Sequence, residues 1–305
     1  MSENPVEAGL RERLARRLAA APRAEVAEYA QMLAQEAGAL AVLFYGSNLR
    51  TESLEGVLDF YLLMPGDQVE RIWPKVSYRE WHKGGEVLRA KIAAMSLTQF
   101  AKAASGQSRD TTIWARFVQP CALIWARDEQ AGAAVLDALC SACVTAGRLA
   151  AALKQTPGSA EDFWRALFRA TYAAEFRVEK AGREDSILSV NQEHFDGLLP
   201  LAWEEGGLAF TRDGEMLTPT LDPATRKQIL RWWRRRQKLG KPLNLVRLAK
   251  ATTTFEGAAA YGAWKLERHT GIALEVTPFR EKHPLLAAPG ALVELWFARR
   301  KQGRQ

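Results

Sequence analysis

The stretch that most limits how this chain can fold is Leu43-Phe44-Tyr45-Gly46-Ser47-Asn48, followed after a short linker by Val57-Leu58-Asp59-Phe60-Tyr61-Leu62-Leu63. Two apolar runs separated by Gly-Ser and a polar spacer predict strand, tight turn, brief helical segment and second strand. Strand alternation puts Asp59, Tyr61 and Leu63 on one face and Leu58, Phe60 and Leu62 on the other. The chemistry this suits is phosphate binding. Free backbone N–H groups at a helix start cradle phosphate oxygens, glycine permits close approach, and a nearby carboxylate holds a divalent metal. Gly-Ser is also a common turn dipeptide, so an ordinary connection with an incidental Asp59 is the alternative.

Composition narrows the partners. A chain of 305 residues suggests about two domains. The formal charge of +7 favours an anionic partner: nucleotide, nucleic acid or anionic lipid. No signal peptide is recognisable and no run of about eighteen apolar residues predicts a membrane span. Glu3, Glu7 and Glu12 argue against an organelle transit peptide. Three cysteines are too few for a disulfide framework, so a reducing cytoplasm is the expected setting.

In chain order, residues 5–20 and 23–36 predict two amphipathic helices, with Leu10, Leu14 and Leu18 on one stripe and Val26, Tyr29 and Leu33 on the other. Strands are expected at 39–45, 57–64 and 86–95. In the third, Val87, Arg89, Lys91 and Ala93 share one side. Two neighbouring cations there suit a triphosphate or a pyrophosphate leaving group; a solvated edge strand protected by lysine is the alternative. Residues 112–120 lead into the apolar run Cys121 to Trp125, a candidate last strand.

Near residue 130 the character becomes helical. Residues 129–154 are rich in Ala and Leu, and Pro157-Gly158 ends them. Cys140 and Cys143 form C-x-x-C without a second pair or a suitably spaced histidine, so they read as small core residues rather than zinc ligands. The next helix begins with a capping-box-like Ser159 and Asp162 and is expected to stop at Gly182. Trp164, Phe168, Thr171, Glu175 and Val178 follow its apolar spacing. A carboxylate at Glu175 is costly there unless it is paired with an arginine or binds a metal.

Several short motifs together resemble known families. Gly46-Ser47 followed by Asp59 resembles the polymerase-beta superfamily of nucleotidyltransferases, although the superfamily's second acid is here Tyr61, whose phenol is a poor magnesium ligand. More closely, the chain looks like the mitochondrial-type phosphatidate cytidylyltransferases, the CDP-diacylglycerol synthases built on a nucleotidyltransferase fold. Phe44-Tyr45-Gly46-Ser47-Asn48 matches that family's Tyr-Gly-Ser. Leu58-Asp59-Phe60 matches its Asp-Phe strand, in which the second acid is also missing. Arg89-Ala90-Lys91 resembles its lysine-bearing strand, and residues 114–120 resemble Gly-Arg-x-x-x-Pro. Tyr172-Ala173-Ala174-Glu175-Phe176-Arg177 resembles Tyr-Ser-Gly-Asp-Phe-Arg, with Glu for Asp and Ala for Gly. The similarity spans residues 40–250. It implies an α+β protein: a polymerase-beta-like nucleotidyltransferase domain with a mixed sheet at 1–128, a mostly helical, winged-helix-like domain at 129–240, and a C-terminal segment at 241–305 that packs back or contacts membrane.

Residues 208–217 read as a small hairpin, which fits a winged-helix-like domain. Asp222-Pro223 then starts a helix that Gly240 is expected to close. That helix holds Arg231, Trp232, Trp233, Arg234, Arg235 and Arg236, and no acid occurs between Asp222 and Glu256. A basic helix with paired tryptophans suits an anionic membrane surface, and equally nucleic acid. A solvated basic face with both tryptophans in the core is the bland alternative. Near the end, Lys265, Arg268 and His269 favour a helix dipole and could also meet the phosphate of an acceptor.

The resulting expectation is transfer of CMP from CTP to a phosphorylated lipid acceptor, phosphatidate, with release of pyrophosphate, by a cytoplasmic protein peripheral to a membrane. Tyr45, Gly46, Ser47, Arg116 and Arg177 are the candidate nucleotide contacts. Asp59 and Glu175 are the candidate ligands for Mg2+, and Lys91 stabilises developing charge. The alternatives are a nucleotidyltransferase acting on RNA or protein, or a degraded one that binds nucleic acid or a partner.

Overall fold

The computed structural model describes residues 9–19, 22–174, 183–254, 257–270 and 276–279; side chains at 183, 248–249, 251–254, 258, 265–267 and 269–270 are outside that description. Two helices, α1 (Leu10–Leu18) and α2 (Ala24–Ala37), precede the sheet, and their predicted apolar stripes are buried. Then follow β1 (Ala41–Tyr45), α3 (Ser47–Thr51), β2 (Leu58–Met64), β3 (Lys75–Lys83), β4 (Glu86–Ser96), α4 (Leu97–Ala104), α5 (Thr112–Phe117) and β5 (Cys121–Ala126). These strands form one five-stranded mixed sheet of order β3-β4-β2-β1-β5. β2 runs parallel to β4, and the other neighbours are antiparallel.

Alternation sorts the two faces as the sequence predicts. Leu58, Phe60, Leu62, Leu88, Ala90 and Ile92 pack under α2 against Val26, Tyr29 and Leu33. Tyr61, Leu63, Ala93 and Met95 face the opposite way, into a core shared with the later helices. The strand missed in the sequence is β3. Its outward positions are polar and its burial is patchy, so it carries little apolar alternation of its own. It forms by hairpin pairing with β4, from Lys75 beside Ala94 to Lys83 beside Glu86.

Beyond the sheet, α6 (Glu129–Leu153), α7 (Ala160–Ala174), α8 (Arg183–Val190), α9 (Gln192–Phe195) and α10 (Leu198–Glu205) lead to the hairpin β6 (Phe210–Asp213) and β7 (Met216–Pro219). α6 is long and apolar enough to cross a membrane, yet 56% of its most apolar window is buried inside the protein. It packs against α1, α4, α5, α7, α10 and α11 (Pro223–Thr254), so it is the hub of the core. Cys140 and Cys143 are buried on it, and burial pushes the Cys140 thiol up to about 11. At the start of α7, Ser159 N–H donates to Asp162 Oδ2 (3.0 Å) and Asp162 N–H to Ser159 Oγ (3.3 Å), the expected capping box. The sheet-facing residues and the residues of α6, α7 and α10 belong to one continuous core.

Gly240 does not end its helix. α11 starts as expected, with Asp222 Oδ1 accepting from the N–H groups of Ala224 and Thr225 (both 2.9 Å), but it continues through Gly240 and Pro242 to Thr254. The glycine serves close packing instead. A methyl at 240 would run into the carbonyl oxygen of Ala174 at the end of α7, so only glycine lets the two helices approach there. The last described helix is α12 (Ala258–Thr270), which lies against β3.

Candidate functional site

The Gly-Ser turn is built by backbone geometry. Gly46 adopts φ 92°, a conformation that side chains disfavour, and it caps the short helix α3. A Cβ at Gly46 would stand 2.9 Å from Asp59 Oδ2, so the glycine also makes room for that carboxylate. Ser47 is exposed, with its hydroxyl 3.3 Å from Asn48 Oδ1. Asn48 is buried and donates from Nδ2 to the carbonyls of Ser53 (2.8 Å) and Glu55 (2.7 Å). That side chain fixes the linker between α3 and β2, a role its place in the motif did not reveal.

The sheet brings the other residues to the same spot. Tyr45 is the antiparallel partner of Asp59, and Lys91 is its parallel partner on β4. Arg116, exposed on α5, holds its guanidinium 5.2 Å from the centroid of the Tyr45 ring. Burial raises the Asp59 carboxyl above the usual carboxylate range, and the charges of Lys91 and then Arg116 pull it back down. Burial likewise raises the Tyr45 hydroxyl, opposed by Arg116. Tyr45, Gly46, Asp59, Lys91 and Arg116 therefore form one cluster of a partly desolvated acid, two cations and a turn.

Tyr61, at the place of the missing second acid, is packed rather than poised. Its ring meets Tyr45, Phe100 and Phe117, the last edge-on at 5.3 Å, and burial pushes its hydroxyl far above the usual range. It belongs to the core beneath the site. Glu175 and Arg177 lie outside the described residues, as do Val178 and Gly182. Among the described residues, no three His, Cys, Asp or Glu side chains come together as a metal-binding group. Asp59 is the candidate carboxylate that stands at the turn among the described residues. That fits Mg2+, which commonly takes one or two carboxylates and completes its shell with substrate phosphates and water.

The basic helix divides sharply. Ile229, Trp232, Trp233, Arg236 and Gly240 recur at helical spacing and form the inward stripe of α11. Trp233 is buried, Trp232 donates its indole N–H to the Gly106 carbonyl (3.0 Å), and both rings pack on Trp114 about 6 Å away between centroids. Arg236 is buried too. Its guanidinium sits 4.1 Å from the Trp232 ring centroid and donates to the carbonyls of Gly106 (2.7 Å), Ser108 (3.0 Å) and Trp232 (3.1 Å). The expectation that Trp232, Trp233 and Arg236 meet an anionic membrane is corrected by this packing. One helix stripe cannot both fill the core and meet headgroups. Arg231, Arg234 and Arg235 remain exposed on the other side.

Two contacts tie α11 to the site in a way the sequence did not disclose. The buried Asp110, just before α5, pairs with Arg247 near the end of α11. Arg247 Nε also donates to the Trp73 carbonyl (2.9 Å), and Arg236 holds the loop carbonyls before Asp110. α11 thereby fixes the segment that delivers α5 and Arg116. A separate cleft of about 680 Å3 among α7–α10 and the hairpin is lined by Trp164, Phe195 and Arg212, and none of the candidate nucleotide, metal or lipid contacts named from the sequence lines it. No protein-family model matches this chain, and a search of curated proteins returns no significant match.

Proposed function

We propose that this chain is a nucleotidyltransferase that transfers CMP from CTP to phosphatidate, releasing pyrophosphate. The observation that carries the reading is the seating of Asp59 between Gly46 and the cations Lys91 and Arg116. A mixed sheet with a Gly-Ser turn leading from its β1 strand, and a hairpin following helices, also support a polymerase-beta-like domain joined to a winged-helix-like one. CTP and phosphatidate as the particular substrates come from the motif resemblance.

In the proposed reaction an acceptor phosphate oxygen attacks the α-phosphorus, a new P–O bond forms, and the α–β bridging bond breaks as pyrophosphate leaves. The acceptor is already an anion, so the protein's task is positioning and charge neutralisation rather than proton transfer. The amide groups after Gly46 receive phosphate oxygens, and the Tyr45 ring with Arg116 above it walls the nucleotide side. Lys91 and Arg116 offset the negative charge that grows on the leaving group. Asp59 would hold Mg2+, which when bound neutralises phosphate charge and aligns the phosphates. The exposed Arg231, Arg234 and Arg235 form the basic surface that meets an anionic bilayer, at roughly 1 kcal/mol per cation.

Pyrophosphate release from CTP, ATP, GTP and UTP, with and without phosphatidate vesicles, tests the reading. Release from CTP that requires phosphatidate is expected. Release that requires RNA or a protein instead would replace the lipid acceptor, and no release from any nucleotide would remove the enzymatic reading.

A further inference from the structure

We propose that Arg89 and Arg268, both packed on Trp264, form a subsite for the distal phosphates of the polyphosphate received at the Asp59 turn. The inference rests on the nucleotidyltransferase reading and adds to it a residue from the far end of the chain. Lys91 stands beside Asp59, and Arg89 lies two residues earlier on the same face of β4, about 7 Å along the strand. Arg268 reaches the same region from α12. Its Nη1 would lie 3.1 Å from a Cβ at Gly56, two residues before β2 begins. The guanidiniums of Arg89 and Arg268 each sit 5.5 Å from the centroid of the Trp264 ring. Lys91, Arg89 and Arg268 thus extend from Asp59 toward the Gly56 loop.

The seat of α12 is built for this placement. Tyr261 packs on Tyr78 with ring centroids 5.3 Å apart, and Tyr78 is the strand partner of Lys91. Gly257 lies so close to the Tyr78 backbone that no side chain fits there. The helix is therefore pressed onto the strand that neighbours Lys91 and Arg89.

Arg89 itself is incompletely satisfied. Its Nε is buried without a hydrogen-bond acceptor among the described residues, and Nη1 donates a long 3.3 Å bond to its neighbour Val87. Glu80 forms an ion pair with Arg89, its Oε1 3.4 Å from Nε but outside hydrogen-bond geometry, and that oxygen also accepts from the Tyr78 hydroxyl at 2.7 Å. A desolvated guanidinium donor without an acceptor is costly, and a phosphate oxygen would supply one. Arginine suits this task because its planar fork matches two phosphate oxygens at once. Holding two guanidiniums on one indole restricts them before the ligand arrives, which lowers the entropic cost of binding. The shared chemistry is a pair of terminal phosphates, whether on a nucleoside triphosphate or as free pyrophosphate.

Calorimetric titration of the full chain with CTP, inorganic pyrophosphate and CMP, each with magnesium, separates the possibilities. For wild type, binding of CTP and pyrophosphate is expected. For Arg268→Gln, both should weaken about tenfold or more, the loss of a charge-assisted contact, while CMP affinity and melting temperature stay unchanged. Arg268→Lys should recover part of the loss, since it keeps the charge without the fork. Should Arg268→Gln bind pyrophosphate as wild type does while CTP still binds, the subsite is wrong and the nucleotidyltransferase reading survives. Equal weakening of CMP and pyrophosphate, or a lowered melting temperature with it, would make Arg268 a structural support of α12 and overturn the proposal. A wild type that binds neither CTP nor pyrophosphate would overturn both.

Discussion

Asp59 on β2 and Lys91 on β4 are register partners in the one parallel strand pair of the described sheet, so a carboxylate and an ammonium share a face beside the Gly46 turn. The parallel pairing matters because it fixes the pair by backbone hydrogen bonding rather than by the flexible reach of either side chain. Asp59→Asn keeps the shape and removes the charge. Turnover in the pyrophosphate-release assay should fall on the order of a hundredfold or more, with an unchanged circular dichroism spectrum. Wild-type turnover in that variant would take Asp59 out of the site.

Gly46→Ala should harm both fold and site. The added methyl meets Asp59 Oδ2 and also forces a non-glycine residue into φ 92°. Strain of about 1–2 kcal/mol is expected in urea unfolding, together with weaker CTP binding. An equally stable variant with normal CTP affinity would mean that the turn tolerates a side chain and is not shaped for phosphate.

His194 gives the fold a pH dependence. It is buried, its Nε2 lies 2.9 Å from the Val118 carbonyl oxygen, and burial lowers its pKa from 6.5 to about 4, with Arg17 and Arg13 adding to the effect. Between those values the unfolded chain takes up a proton that the folded chain refuses. Stability should therefore fall as pH drops through that window, by up to about 3 kcal/mol, and not change through this group above pH 6.5. Urea midpoints measured from pH 7 to pH 4 check this, and the slope should flatten in His194→Gln. An unchanged slope in that variant would assign the pH dependence to other groups.

Arg247→Met should destabilise the chain by about 3 kcal/mol or more, because it strands the buried Asp110 carboxylate. Among the described residues, Asp110 would keep the N–H (2.9 Å) and hydroxyl (2.8 Å) of Thr112. The double variant Arg247→Met with Asp110→Asn should recover part of the loss. A denaturation midpoint equal to wild type in the single variant would show that the pair does not hold α11 to the loop before α5.

For the basic face, Arg231→Gln, Arg234→Gln and Arg235→Gln together should abolish sedimentation with phosphatidate-containing vesicles at low salt, and moderate salt should release the wild type. Tryptophan emission should stay nearly constant on binding, since Trp232 and Trp233 are already packed inside. A large blue shift would have to come from a tryptophan that is in water in the free protein, because indoles already packed in the core cannot shift far to the blue. Retardation of RNA with steep salt dependence, and no vesicle binding, would favour the nucleic-acid alternative.

The sequence by itself determined the two faces of the central strands, the turn at Gly46, the cap at Asp222 and the capping box at Ser159. Each of these is local: alternation, a glycine requirement and side-chain caps are set by neighbours a few residues away. It also put Asp59 and Lys91 on candidate strands, but only the pairing of β2 with β4 made them neighbours. The failures have the same cause in reverse. Gly240 read as a stop because glycine usually ends helices, whereas here the nearby Ala174 carbonyl demands a residue without a side chain and the helix continues. β3 escaped notice because its strand state comes from pairing rather than from its own apolar pattern. The six basic and aromatic residues from Arg231 to Arg236 look alike in sequence. Tertiary packing decided which of them are core and which are surface, because helical geometry lets a single stripe face only one way.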